Sequence, residues 1–134
     1  MNIHENRLRR SVEAVSSDAR QMLDRLDTLQ PDVSLHVLQI ILGFACTAQH
    51  AGSIRAGRTA FEKIPQKWLA THLQEVVGRS LDLADEWNYR RLLELLVNFM
   101  PDMFNMYVNV GLSSDSIEIF EVAKDLRARN RSEQ

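Results

Sequence analysis

The chain has 134 residues, 45% of them hydrophobic and 25% charged, with a formal net charge of −2. That size and composition fit one soluble domain, 1–134, able to bury a core without disulfides or a structural metal. The near-neutral balance supplies no global field for nucleic acid or an anionic membrane, and no apolar run approaches the length of a membrane span. The N-terminus, MNIHENRLRR, is too polar for a signal peptide. The lone Cys46 excludes a disulfide framework within one chain and fits a reducing cytoplasm. Three Pro, five Gly and no strand alternation predict an all-α fold, a single bundle of five to seven helices.

The first segment has the clearest period. Leu8, Val12, Val15, Ala19, Met22, Leu26 and Leu29 step alternately by four and three, an a/d heptad over three repeats. It predicts one helix over 4–29, roughly 39 Å long, running through Ser16, Ser17 and Asp18. The stripe is either the inner face of an edge helix or the seam of a homodimer. Gln30-Pro31 ends it. Asp32 or Ser34 caps the next helix, whose body VSLHVLQIILGFACTAQHA is apolar on nearly every side and therefore central. Gly52 is its expected stop. Residues 52–63 read as loop, or as loop with a short helix at 58–63. Pro65 opens a helix with Leu69, Leu73, Val76 and Val77 as its stripe, which Gly78 ends or loosens.

Asp85 caps a helix to about Met100, and Pro101 or Asp102 starts another that Gly111 stops. In that helix Met103, Phe104, Met106, Tyr107, Val108 and Val110 cover most of the circumference, so it is sandwiched by the bundle or by a partner. Asp115 and Glu118 form a capping-box-like pair for a last helix to about Arg127. Residues 128–134 lack apolar anchors and are expected to fray. Charge is uneven: residues 31–81 carry five basic and three acidic groups, residues 82–134 six basic and ten acidic. On the last helix Glu118, Glu121 and Asp125 form an acidic stripe, either solvated or able to steer a basic partner.

Few residues suggest chemistry. GSIRAGRT, 52–59, is one change from the phosphate-cradling pattern G-x4-G-K-[ST], but a buried helix precedes it, not a strand, so no nucleotide site is expected. Arg55, Arg58, Lys63 and Lys67 there make either a weak anion site or a solvated basic loop. Cys46 and His50, four apart, would share a helix face, but no further ligand completes a metal site and the apolar surroundings disfavour a thiolate. His36 and His72 stand alone among apolar residues. The carboxylates Asp82, Asp85 and Glu86 lie at a helix start, where no catalytic explanation is needed. No catalytic residue, metal or cofactor is expected.

DEWNYRRLLELL, 85–96, places Trp87 in the polar arc of its helix, beside Glu94 and one turn from Arg91. Either Trp87 folds back over residues 81–84, or it anchors a partner with Arg90, Arg91 and Glu94, since Trp and Arg are over-represented at binding hot spots.

DEWNYRRLLELL, a turn at Met100-Pro101-Asp102 and GLSSDSIEIFEVAKDL together resemble helical-repeat proteins of the HEAT type, in which G-L-x-S-x-x-x-E-I-x-E-x-A-x-D-x recurs. Small bacterial all-helical proteins of unassigned role carry similar stretches, some near toxin–immunity systems. The resemblance covers about 45 residues. It implies antiparallel helix stacking and interaction by helix faces, and transfers no functional residue. The expected function is a non-catalytic bacterial protein-interaction module, an adaptor or an immunity-type inhibitor. A structural homodimer and an anion- or small-molecule-binding protein are the alternatives.

Overall fold

A computed structural model describes residues 2–132. Among them lie seven α-helices and no strand, so the all-α fold class holds. The contacts divide into two compact units, Met1–Leu81 and Asp82–Gln134, a division that the sequence, read as one domain, does not announce.

The first unit holds α1 (Ile3–Val15), α2 (Pro31–Leu42), α3 (Ala51–Phe61) and α4 (Gln66–Ser80). The single helix expected over 4–29 is corrected. After Val15 the backbone is extended at Ser16, and 3-10 turns follow at Ala19–Gln21 and Leu23–Thr28. Ser and Asp side chains compete for backbone groups and disfavour a helix interior, and the break lets the chain fold back. Leu8, Val12, Ala19 and Leu26 are then buried within the unit, while Val15, Met22 and Leu29 are half-buried. The heptad stripe is therefore broken after Val15, and four of its seven residues lie in the unit's own core. Ser34, itself buried, donates from Oγ to the Leu26 carbonyl at 2.7 Å and ties the turn to α2.

α2 starts at Pro31, whose fixed φ and missing N–H suit a first turn, so neither Asp32 nor Ser34 caps it. It contacts α1, α3 and α4, as its all-round apolar sequence requires. It does not run to Gly52. The helix widens into a π-turn at Gly43–Thr47, where Thr47 Oγ1 donates to the Gly43 carbonyl at 2.6 Å. At Ala48 the chain is extended. Residues 52–63 are corrected from loop: α3 begins at Ala51, capped by His50, whose Nδ1 accepts the Gly52 N–H at 3.1 Å. Gly78 does not end α4, which continues through it to Ser80.

The second unit is α5 (Glu86–Leu96), α6 (Pro101–Leu112) and α7 (Ile117–Ser132), each touching the other two. Short turns make successive helices antiparallel. Leu92, Leu93, Leu96, Phe104, Val108 and Val122 form its core. Gly111 lies inside α6, not at a stop. α7 is capped by Ser116, not Asp115: Ser116 Oγ accepts from the Ile119 N–H at 3.4 Å and donates to Glu118 at 3.1 Å. Nor does the tail fray at 128. The helix continues to Ser132, supported by the Asp125–Arg129 pair at 3.3 Å and by Arg side chains at its negative end. Glu133 and Gln134 lie outside the described residues.

Candidate interaction surface

α5 begins at a strong cap. Asp85 accepts from the Trp87 N–H at 2.9 Å, the Asn88 N–H at 3.0 Å and the Asn88 side chain at 3.1 Å. The two Asn88 hydrogen bonds, with that of Trp87, hold its carboxyl below the usual carboxylate range. The cap fixes the first turn and with it the direction of Trp87. That side chain is 59% exposed, one of four large hydrophobic side chains exposed among the described residues, so it is not folded away over 81–84. The Arg91 guanidinium carbon lies 5.5 Å from its ring centroid, within cation–π reach. Arg91 also donates to Glu94 at 2.8 Å, which pins the guanidinium beside the indole.

Arg90 has a different task. It reaches Asp125 at 3.6 Å and staples α5 to α7. Of the four residues expected to meet a partner, Trp87, Arg91 and Glu94 form one contiguous surface group, whereas Arg90 belongs to the scaffold.

The other candidates are dispersed. GSIRAGRT lies within α3: the Gly52 N–H goes to His50 Nδ1, and from the Ile54 N–H to the His50 carbonyl onward the amides donate one turn back, so no strand-to-helix loop gathers them on a phosphate. Arg55 and Arg58 sit on α3, Lys63 in the following turn and Lys67 in the first turn of α4. Of these, Lys63 lies with Arg9 at a groove of about 270 Å³ between α1 and α3, floored by Leu8, Val12, Ala56 and Ala60. Cys46 is buried in the π-turn, and the chain is extended at Ala48 before His50 caps α3, so the two do not share one helix face as their spacing suggested. His36 is exposed, and the His72 ring lies 4.8 Å from that of Trp68. Among the described residues no three His, Cys, Asp or Glu side chains gather to hold a metal ion.

One cluster has no signal in the sequence. The His4 and His50 rings stand 4.2 Å apart, and His4 Nδ1 meets Ser53 Oγ at 3.0 Å, joining the start of α1 to the start of α3. The imidazole of His4 is held below 6.5 by desolvation, then by His50 and Arg7. A depressed imidazole pKa means that the unfolded chain takes up protons first, so stability is full above pH 6.5 and declines as pH falls through the folded value. The wild-type Tm is expected to drop on acidification below pH 6.5, and His4→Gln to weaken that dependence. Identical slopes for the two proteins would remove His4 as the cause.

No family model, no curated protein and no solved structure matches this chain.

Proposed function

We propose that the protein is a non-catalytic interaction module of a bacterial cytoplasm, acting as an adaptor or an immunity-type inhibitor, and that it docks another protein on the α5 face formed by Trp87, Arg91 and Glu94. The observation that carries this reading is the exposed indole. An aromatic side chain left in water, with a guanidinium already pinned beside it, forfeits burial that a partner can supply. Such residues enter a complex with little further ordering of side chains. The HEAT-type resemblance of residues 85–127 supports the same reading, because that architecture recognises partners by helix faces.

The test is quantitative capture from a bacterial lysate with the wild-type chain and a folded Trp87→Ala chain, followed by reconstitution with the purified captured protein. Removing a hot-spot tryptophan is expected to weaken the reconstituted complex by about 2 kcal/mol or more, roughly thirtyfold. Full binding by Trp87→Ala would end the anchor role.

A further inference from the structure

Three of the four exposed large hydrophobic side chains lie in the second unit: Trp87, 59% exposed, Val110, 52%, and Ile117, 74%. They come from three different helices. Tyr89 Oη donates to the Tyr107 carbonyl at 2.7 Å, so the start of α5 lies beside the last turns of α6. The short turn after Leu112 brings the start of α7 to the same end. Trp87, Val110 and Ile117 therefore share one end of the three-helix unit.

The charges of the unit are sorted along its length. Asp82, Asp85 and Glu86 lie at the start of α5, and Asp115, Glu118 and Glu121 at the start of α7, all at this end. Lys124, Arg127, Arg129 and Arg131 follow along α7, away from it. The unit's two arginines nearest the end are committed, Arg90 to Asp125 and Arg91 to Glu94. Among the described residues no ion pair takes up the six carboxylates. This end thus carries three exposed apolar side chains together with six carboxylates.

We propose that this end of the second unit is a docking surface for a basic amphipathic segment of another protein, with Trp87, Val110 and Ile117 taking its apolar side chains and the carboxylates its Lys and Arg. The inference rests on the α5 reading above and extends that site to two further helices and to a partner chemistry. Charge complementarity selects the occupant. A second copy presenting the same end would set six carboxylates against six, and nucleic acid or an anionic bilayer would be repelled.

The test uses the full chain and a fluorescein-labelled amphipathic Leu/Lys peptide, with the matched Leu/Glu peptide and phosphatidylglycerol vesicles alongside. The Leu/Lys peptide is expected to bind at least about tenfold more tightly than the Leu/Glu peptide, and more weakly as salt rises. Ile117→Ser, Val110→Ser and the pair Glu118→Lys/Glu121→Lys, all at exposed positions, are each expected to weaken binding by about tenfold. Circular dichroism is expected to be unchanged. Equal binding of the two peptides, Leu/Lys binding indifferent to Ile117 and Val110, or tight binding to the vesicles overturns the proposal. The two readings fail separately. A native partner lost on Trp87→Ala but retained on Ile117→Ser and Val110→Ser leaves the α5 anchor standing and removes the wider surface. Leu/Lys binding that needs Ile117 and Val110 but not Trp87 removes the anchor instead.

Discussion

Gly57→Ala is expected to destabilise the protein by about 2–3 kcal/mol, although alanine is the better helix former by about 1 kcal/mol. Gly57 lies inside α3 and faces the π-turn, and a Cβ there would stand 2.8 Å from the Ala45 Cα and overlap its amide nitrogen. The obstacle is backbone, which cannot swing aside as a side-chain tip can. Ala45 is fully buried, and the π-turn packs against α3. Either the turn or α3 must move, and both belong to the core of the first unit. Gly78 is the internal control. It lies within α4, exposed, with nothing within 4 Å of an added Cβ. Gly78→Ala is therefore expected to stabilise by about 0.5–1 kcal/mol through helix propensity alone. Urea denaturation followed by circular dichroism separates the two. A Gly57→Ala protein as stable as wild type would mean that α3 does not approach the turn as described.

The same glycines mark what the sequence conveys and what it does not. Helix content, the central α2 and the polar-arc position of Trp87 are legible because they follow from periodicity, a local property of the chain. The cation–π pairing of Trp87 with Arg91 is equally local, one helical turn. Gly52, Gly78 and Gly111 look like stops because glycine is a poor helix former, yet all three lie inside helices. Gly52 admits the His4 ring and Gly111 the Tyr89 phenol, contacts between residues far apart in sequence that no local pattern encodes. The heptad misleads for a related reason. Its spacing continues arithmetically through Ser16–Asp18, but the chain turns there and packs both arms on α2, and the break costs little in a polar stretch. His4 and Ser53 are 49 residues apart, and neither residue type at its position hints at the other. The shared end of Trp87, Val110 and Ile117 likewise emerges only once α5, α6 and α7 are packed.

Gly111→Ala is expected to cost about 2–3 kcal/mol, and Tyr89→Phe about 1–2 kcal/mol, with the double substitution costing less than their sum. Tyr89 is buried, and its hydroxyl donates to the Tyr107 carbonyl at 2.7 Å, close beside Gly111. The phenol thus enters the backbone ladder of α6, and it fits because position 111 has no side chain. An alanine Cβ there would overlap the Tyr89 hydroxyl and stand 2.8 Å from the Ala123 Cβ on α7. Removing the hydroxyl removes the atom that the new methyl meets first, hence the sub-additive coupling. Burial pushes the Tyr89 pKa up to about 12, the nearby Gly111 amide opposing this only in part. A raised phenol pKa stabilises the fold below pH 10, and that contribution is lost as pH climbs from 10 towards 12. Tyr107 supplies the opposite case on the same helix. Its hydroxyl is buried with no hydrogen-bond partner among the described residues, and burial likewise pushes it up to about 12. Tyr107→Phe removes an unsatisfied polar atom and leaves the packing, so it is expected to be neutral or to stabilise by about 1 kcal/mol. Thermal denaturation of the four variants decides the matter. If Tyr107→Phe loses as much stability as Tyr89→Phe, both hydroxyls are partnered and the contrast is lost; if the Gly111 and Tyr89 costs simply add, the phenol does not occupy the space that glycine leaves.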